Sequence, residues 1–569
     1  MYVAANFLFM ENALIAENFS LLSKLMDVHG ENSFRAKSYS IAAFTIDNLP
    51  EKLSETPKEK IFFIKGIGES TGKKVIELLE TGELKALTDI ISKTPEGILE
   101  MMNIKGIGPK KIATIWKEME IETVGELLYA CEENRLKLYK GFGEKTQQNV
   151  KEAIEYYFKN KGSFLYAQVE VIEKQITGYL EKLFSPGNVF VTGSFLRQLE
   201  VIDELEYVVN DSNENVKPKF ISANPPQLLE ESSNSLLYKL TNGLRLRLYT
   251  GTEEFNSHLF RFSANETFIA AFMEQFPTAD LNKRMGNDDQ QLFESVGLNY
   301  IPPFVREKAS ILQTATKPFP ALIQPGDIKA IIHSHSNWSD GSNTIEEMAK
   351  ASIAKGFEYL VISDHSKSAF YASGLSEEKI KEQHRYVDEL NSQLAPFKIF
   401  KSIESDILND GSLDYSDSIL STFDLVIASV HSNLKMPEEK AMMRLLKAIE
   451  NPYTTILGHM TGRLLLSRKG YPVDHKKIID ACAANNVVIE LNAHPNRLDM
   501  DWRYIDYALE KNVLISIDPD AHFIEGFEDI RYGVLVAQKA MVTKENNLSS
   551  FSLPAFENFL VGQQTKRKL

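Results

Sequence analysis

Histidines are unevenly distributed along this chain of 569 residues. Ten of the eleven histidines lie beyond residue 250, and seven of them fall between His333 and His475. Acidic residues stand close to many of them. Imidazoles and carboxylates together suit zinc, manganese or iron better than calcium or magnesium alone. We therefore expect the second half of the chain to carry metal or proton-transfer chemistry.

These side chains follow strand-like segments. After residue 327, seven apolar runs alternate with helical or looping stretches, which predicts a parallel α/β barrel. The runs are IKAIIHSH, EYLVISDH, FKIFKSIE, LVIASVH, TTILGH, VVIELN and VLISIDPDAH. In such a barrel the carboxyl ends of the strands meet on one face, where chemistry takes place. His333 and His335, two positions apart on a strand, face the same side.

Nine imidazoles and carboxylates would then point into one pocket. A single histidine after a strand is more often a hydrogen-bonded structural residue, but nine such groups on one barrel edge favour a metal site. Without cations to compensate them, so many ionisable groups could not share a pocket. The candidate ligands are His333, His335, Asp340, His365, Glu404, His431, His459, Asp520 and His522.

The segments around these residues resemble the PHP (polymerase and histidinol phosphatase) family of metallo-hydrolases. The matching segments are HSHSNWSDG (333–341), SDH (363–365), SIESDI (402–407), SVH (429–431), GHMTGR (458–463), ELNAHPNRLD (490–499) and DPDAH (518–522). The resemblance implies a distorted (β/α)7 barrel and hydrolysis of phosphate esters with Mn²⁺ and/or Zn²⁺. By the same resemblance, up to three metals are held: the first by His333, His335, Glu404 and Asp520, the second by Glu404, His431 and His459, and the third by Asp340, His365 and His522.

Two arginines of this region are candidates for contact with a phosphate. Metals that share a ligand lower the pKa of bound water and clamp the attacking and leaving oxygens of a phosphoester. Arg463 and Arg497 could each contact the phosphate through two N–H groups. A surface or inter-loop salt bridge is an equally good interpretation of each arginine.

A short glycine motif recurs three times in the helical first 160 residues. The copies begin IKGIG at Ile64, IKGIG at Ile104 and YKGFG at Tyr139. Two glycines allow a tight turn and a close backbone approach, and the N–H groups of the following helix can face a phosphate. One such copy is more often an ordinary turn before a helix, but three copies favour DNA binding. The candidate DNA-binding residues are Gly66, Gly68, Lys73, Lys74, Gly106, Gly108, Lys110, Lys111, Gly141, Gly143 and Lys145.

The part before the barrel resembles a bacterial family X DNA polymerase. The resemblance rests on GENSFRAKSYSIAAFTI (30–46), TGSFLRQLEVIDELEYVV (192–209), IPPFVRE (301–307) and the proline-rich linker KPFPALIQPGD (317–327). The glycine copies look like that family's helix-hairpin-helix motifs. The predicted domains are a helical DNA-binding domain with the first hairpin (1–90), a fingers-like hairpin domain (91–165), a small α/β nucleotidyltransferase-like palm (166–251), a thumb-like domain (252–316), the linker (317–327) and the PHP domain (328–569).

The palm departs from its family at the metal-binding positions. The resemblance implies three aspartates that hold two magnesium ions, but Glu204 and Glu206 occupy the first two positions and Arg247 the third. An ion-pair cluster that preserves the fold is the favoured interpretation, so the polymerase site is predicted to be degenerate and to need Mg²⁺ only if it works. The turn that contacts the triphosphate in the family survives as Gly193 and Ser194, with Arg197 nearby.

Composition narrows the remaining possibilities. Two cysteines cannot build a disulfide framework or a cysteine zinc site, and no apolar run approaches the ~20 residues of a membrane helix. The start of the chain is a poor signal peptide, so a cytoplasmic protein without a membrane partner is expected. The net charge of −15 argues weakly against bulk nucleic-acid binding, which leaves local binding through the hairpins.

Three functions remain open at this point. The favoured one is a DNA-repair protein that acts as a metal-dependent 3′–5′ exonuclease or phosphoesterase on gapped or 3′-ended duplex DNA, with an inactive polymerase site. The second is a working gap-filling polymerase with an editing domain, which would also bind deoxynucleotides. The third is a DNA-binding scaffold without catalysis.

Overall fold

The computed structural model describes residues 10–132, 136–160, 162–220, 225–283, 288–466 and 469–567. The chain divides into two compact units, Met1–Lys161 and Gly162–Leu569. None of the helices in the described ranges is both long enough and apolar enough to cross a membrane.

The described part of the first unit consists of helices and turns. Apolar residues at helical spacing bury one face of each long helix, and they form one core between residues 15 and 90 and a second core that reaches Ile154. The predicted helical background without strands between the glycine copies is confirmed. The helices are α1 Asn12–His29, α2 Ser33–Asp47, α3 Lys58–Ile61, α4 Glu69–Thr81, α5 Lys85–Ile91, α6 Glu96–Met101, α7 Pro109–Lys117, α8 Val124–Glu132 and α9 Glu144–Asn160.

The second unit begins with a five-stranded mixed sheet, in the order β2-β4-β7-β6-β5. Leu244, Leu246 and Leu248 are buried on one face of β7, while Arg245 and Arg247 alternate with them on the other, as the sequence predicts. The β5–β6 hairpin was not anticipated from the sequence. The elements are β1 Phe164–Leu165, α10 Tyr166–Phe184, β2 Val189–Thr192, α11 Gly193–Leu196, β3 Val201–Ile202, β4 Glu204–Val209, α12 Asn213–Val216, β5 Gln227–Ser232, β6 Ser235–Lys239 and β7 Arg245–Thr250.

A phenylalanine-rich helical segment follows the sheet. Its helices are α13 Phe255–Phe262, α14 Glu266–Gln275, α15 Gln290–Ser295 and α16 Ile311–Thr314. Arg306 is fully buried at its centre and pairs with Asp289 at 2.6 Å. The predicted linker packs onto the next domain, since Ile323 is buried and its N–H donates to the Val542 carbonyl at 3.0 Å. The six predicted domain boundaries stay predictions.

Seven parallel strands form the predicted barrel, in the order of the sequence. The last strand closes onto the first, because Ser334 bridges Ala521 and the His335 N–H donates to the Ala521 carbonyl at 2.8 Å. The strands are β8 Ala330–Ile331, β9 Tyr359–Ile362, β10 Lys398–Asp406, β11 Leu425–Ser429, β12 Ile456–Leu457, β13 Val488–Asn492 and β14 Ile515–Asp518. All seven predicted strands and the fold class are confirmed.

Helices surround this barrel, and alternate strand residues build two cores. One set packs with the surrounding helices, and the other packs with Phe556 and Leu560 of the last helix, near the amino ends of the strands. The opposite end, where the carboxyl ends of the strands converge, carries the polar residues. The helices are α17 Ile345–Ala354, α18 Glu377–Leu394, α19 Asp417–Leu420, α20 Glu438–Ile449, α21 His475–Ala484, α22 Ile505–Glu510, α23 Ile530–Lys539 and α24 Leu553–Lys566.

Candidate metal centre

The nine candidate ligands meet at the carboxyl ends of the barrel strands, with Glu404 of β10 at their centre. Glu404 Oε1 lies 2.9 Å from His459 Nε2, 3.2 Å from His431 Nε2 and 3.5 Å from His333 Nε2. Its other oxygen lies 2.9 Å from His365 Nδ1. Because Glu404 is buried, with its side chain only 1% exposed, one carboxylate connects ligands from four other strand ends.

Asp520 and Asp340 occupy two further positions of the cluster. Asp520 Oδ1 lies 3.1 Å from His335 Nε2 at the buried end of the pocket. Asp340 Oδ2 lies 3.4 Å from His522 Nε2 and 3.5 Å from His365 Nε2 at the more exposed end. The pocket therefore runs from a closed interior to an open mouth.

Three groups of side chains place ligand atoms within 4.8 Å of one another. They match the three predicted sets in part, and they differ in that His335 joins the third set and His365 joins the second. The groups are His335, Asp340, His365 and His522; His333, His335 and Asp520; and His365, Glu404 and His431.

The charge balance of the pocket fits a cation. Burial opposes ionisation of Glu404, but the surrounding imidazoles hold its pKa well below the usual value. Burial likewise opposes the charge of His365 and His431, and Glu404 raises the pKa of these imidazoles to about 10 and about 9. His333 Nε2 and His335 Nδ1 are buried without a hydrogen-bond partner. Nitrogen lone pairs beside buried carboxylates are what a transition metal needs.

Two carboxylates that sequence reasoning did not assign orient these histidines. Glu490 Oε2 lies 2.6 Å from His333 Nδ1, and Asp406 Oδ1 lies 2.7 Å from His431 Nδ1. With Nδ1 bonded in this way, Nε2 of each ring faces Glu404. Such partners fix the orientation of metal-binding histidines. Asp406 could have been found from the sequence, because it lies two positions after Glu404 on the same strand face.

The loop that carries Asp340 is fastened from below by Asp364. This buried carboxylate accepts hydrogen bonds from the Ser336 N–H at 2.8 Å and from the Gln383 amide at 2.6 Å. Gly341 packs so closely that a Cβ would lie 2.1 Å from the His335 carbonyl oxygen. Only glycine therefore lets this loop fold back over the histidine strand.

The two predicted phosphate-binding arginines have different surroundings. Arg497 Nε lies 3.6 Å from Asp520 Oδ2, beside the candidate ligands. Arg463 instead donates to the carbonyls of Arg497 and Leu498 and lies 3.3 Å from Asp501. Because Arg463 already binds these groups, the structure replaces its predicted phosphate contact with a role in the loop.

In the palm, Arg247 pairs with one of the two glutamates. Its Nε lies 2.5 Å from Glu204 Oε2, and Nη2 lies 3.4 Å from the other oxygen. Glu206 stands directly opposite Arg247 in the sheet but does not share this ion pair. The predicted three-residue cluster is therefore a pair plus a separate carboxylate.

Glu206 binds the glycine-serine turn. It accepts a hydrogen bond from the Ser194 N–H at 2.9 Å and from the Tyr249 hydroxyl at 3.0 Å. A Cβ at Gly193 would lie 1.6 Å from a Glu206 oxygen, so the carboxylate fills the cradle above the turn. Arg197 does not face this turn, because it pairs with Glu307 at 2.8 Å in a largely buried position.

The three glycine hairpins share one geometry. The first glycine of each lies in the left-handed region, with φ of 97° at Gly66 and 91° at Gly106 and Gly141. Gly68 and Gly108 are the N-cap residues of α4 and α7, and neither helix has a side-chain cap, so their first N–H groups are open to a ligand. Lys73 pairs with Glu69 at 2.8 Å. The second hairpin has no acidic residue in its first helical turn.

Comparisons with known proteins agree with this architecture. Residues 10–84 match the helix-hairpin-helix domain family, residues 98–155 match the SAM-like helix-hairpin-helix tandem, and residues 332–494 match the PHP domain family. The fold and the site thus define a hairpin-containing protein with a hydrolytic PHP domain. Curated relatives include the DNA polymerase/3′-5′ exonuclease PolX of Bacillus subtilis (strain 168), 31% identical over 556 residues that cover 94% of this chain and 96% of the relative. The chain belongs to the PolX family.

Shorter relatives match the PHP region alone. A probable phosphatase of Thermoanaerobacter sp. (strain X514) is 24% identical over 231 residues, which cover 38% of this chain and 89% of the relative. A probable phosphatase of Caldanaerobacter subterraneus is 28% identical over 171 residues, which cover 28% of this chain and 60% of the relative. Together with the clustered ligands, these matches support metal binding by the PHP domain, and the hairpin matches support DNA binding.

Proposed function

We propose that this protein is a metal-dependent 3′–5′ exonuclease or phosphoesterase that acts on DNA ends in repair, with manganese and/or zinc in its PHP domain. The observation that carries the proposal is the cluster around Glu404, where buried imidazoles from four strand ends surround one carboxylate. Water adds across the terminal P–O3′ bond. The products are a nucleoside 5′-monophosphate and a new 3′-hydroxyl.

The nine clustered side chains would hold the metals. Divalent cations bound there supply hydroxide near neutral pH and stabilise the charge that develops on the phosphate. Glu490 and Asp406 keep His333 and His431 oriented toward the pocket through their Nδ1 atoms. The Arg497 guanidinium, beside Asp520, is the group best placed to bind and orient a phosphate oxygen.

The hairpins would bind the DNA backbone. N–H groups at the start of α4 and α7 have no side-chain cap, which favours phosphate contact and carries no sequence information. The second hairpin is the stronger candidate, because Lys110 and Lys111 follow Gly108 without an acidic residue in that turn. The substrate would be gapped or 3′-ended duplex DNA.

The palm would not polymerise DNA. Arg247 places a positive charge beside Glu204, where a catalytic cation would have to bind, and Glu206 covers the turn that would contact a triphosphate. Template-directed extension of a primed, gapped DNA with Mg²⁺ or Mn²⁺ and deoxynucleotides tests this part. Robust extension that is lost in Glu204→Ala would make gap filling the function of the palm.

The nuclease proposal is tested with the double variant His333→Ala/His335→Ala and 3′-labelled DNA in Mn²⁺. We expect loss of degradation and of bound metal, with DNA binding retained through the hairpins. His384→Ala is the matched control, because His384 is a histidine of the same domain that contacts Phe423, outside the cluster. Degradation at the wild-type rate by the double variant would refute the proposal. A wild-type protein that binds DNA but neither metal nor substrate hydrolysis would favour the scaffold.

A further inference from the structure

A buried glutamate of the palm domain contacts the barrel. Glu200 lies in the segment between α11 and β3 and is 8% exposed. It accepts hydrogen bonds from Trp502 Nε1 at 3.2 Å and from Arg503 Nη1 at 2.7 Å. Trp502 and Arg503 end the loop that follows β13, so a palm carboxylate holds one end of a loop of the barrel.

The contact continues through alternating charges toward the metal pocket. Arg503 Nη1 also donates to Asp501 Oδ1 at 2.9 Å. Asp501 Oδ2 lies 3.3 Å from Arg463 Nη1. Arg463 in turn donates to the Arg497 carbonyl at 3.0 Å and to the Leu498 carbonyl. We call Glu200, Arg503, Asp501 and Arg463 the charge ladder.

The ladder ends at the backbone of Arg497. The side chain of Arg497 approaches the candidate metal ligand Asp520 at 3.6 Å. Leu498 next to it has a φ of 44°, a left-handed conformation that costs ~1–2 kcal/mol and persists only where neighbouring contacts hold it. The two carbonyls that Arg463 binds lie at this strained point of the loop.

We propose that Glu200 is a positioning residue for the phosphoesterase, through which the palm sets the position of Arg497 at the metal pocket. The proposal rests on the proposed function, and it assigns the palm a role in hydrolysis that needs no polymerase chemistry. A carboxylate is required because Glu200 receives both an N–H of tryptophan and a guanidinium, and a neutral side chain would leave the buried positive charge of Arg503 less well paired.

The test uses the full chain and the Mn²⁺-dependent hydrolysis of bis(p-nitrophenyl) phosphate, a small phosphodiester that needs no hairpin. We expect Glu200→Gln to lower kcat/KM about tenfold, mainly through KM, because a phosphate-binding group displaced by about 1 Å can cost up to ~100-fold. Bound manganese should stay unchanged, because the nine ligands are untouched.

Glu170→Gln is the matched control. Glu170 of α10 is another palm carboxylate that pairs with a barrel arginine, at 3.0 Å from Arg531 Nη1, but Arg531 lies on α23 and not on the Arg497 loop. We expect this variant to keep kcat/KM within about twofold of the wild type, since it breaks an interface ion pair of the ordinary kind. Equal losses in Glu170→Gln and Glu200→Gln would show a general loosening of the interface and overturn the proposal.

A double-variant cycle separates positioning from stability. In an Arg497→Ala background, Glu200→Gln should lower kcat/KM no further, because the group it positions is absent. The same tenfold loss in that background, or a wild-type rate for Glu200→Gln alone, would overturn the positioning role. If the wild-type protein binds manganese but does not hydrolyse the diester, the proposed function itself fails, and the positioning role falls with it.

Discussion

Reversing the charge of Arg247 should destabilise the palm and create a cation requirement. Arg247 and Glu204 are 2.5 Å apart at their nearest atoms, and their side chains are 16% and 20% exposed. Two unit charges ~4 Å apart interact by ~4 kcal/mol at an effective dielectric constant of ~20. Arg247→Asp removes this attraction and adds a repulsion that the longer separation and the remaining solvent contact reduce. We expect a net loss of about 3–4 kcal/mol relative to the wild type near pH 8.

Arg247→Gln is the control, since it removes the attraction without adding a negative charge and should cost about half as much. The assay is the thermal midpoint of the Gly162–Leu569 unit at low salt, where each kcal/mol corresponds to at most ~2 °C in a unit of this size. Mutual repulsion raises the folded-state pKa of the carboxylates above the unfolded value. The penalty is therefore absent below about pH 4 and complete above the raised value, so acidification should narrow the gap between the two variants.

Added Mn²⁺ should raise the midpoint of Arg247→Asp more than that of Arg247→Gln, because the cation binds only the folded carboxylate cluster. The electrostatic reasoning would be refuted if Arg247→Asp were as stable as Arg247→Gln at pH 8 without metal. It would also be refuted if manganese had the same effect on both variants.

Three further outcomes follow from the structure. Gly108→Ala should weaken binding of gapped DNA about fivefold to tenfold in a titration without loss of stability, since a Cβ there meets no atom within 4 Å and a methyl group would still obstruct a phosphate; Gly125→Ala, equally open, is the control, and equal affinities would contradict the hairpin role. Glu490→Gln should weaken manganese binding in a metal titration about 10–100-fold, because it loosens His333, whereas Glu358→Gln, which loses a contact to the Leu553 N–H, should not. Burial raises the pKa of Asp529 to about 6, so Asp529→Asn should raise the thermal stability by about 1 kcal/mol above pH 6 and by nothing below about pH 4, after allowance for solvent screening; a pH-independent effect would contradict this assignment.

Local patterns carried most of the fold and the ligand set. Alternation of apolar and polar residues identified β7, and seven short apolar runs identified the barrel strands, because these patterns depend on backbone geometry within a single element. The nine candidate ligands follow from the same logic, since the carboxyl end of a barrel strand faces the pocket whatever the neighbouring strands contain. The β5–β6 hairpin escaped prediction because all residues of β5 are exposed and leave no buried face to recognise.

The sequence by itself therefore determined the family, the barrel and the residues at its carboxyl face, because each depends on local spacing. Only the tertiary structure decided which polar groups are already bound. Arg463 and Arg497 are both arginines that follow barrel strands, yet one holds loop carbonyls and the other faces Asp520. Glu200 and Arg503 are about 300 positions apart in the chain and meet at 2.7 Å. No periodicity encodes such a contact, because a hydrogen bond between distant segments depends on how completed elements pack against one another.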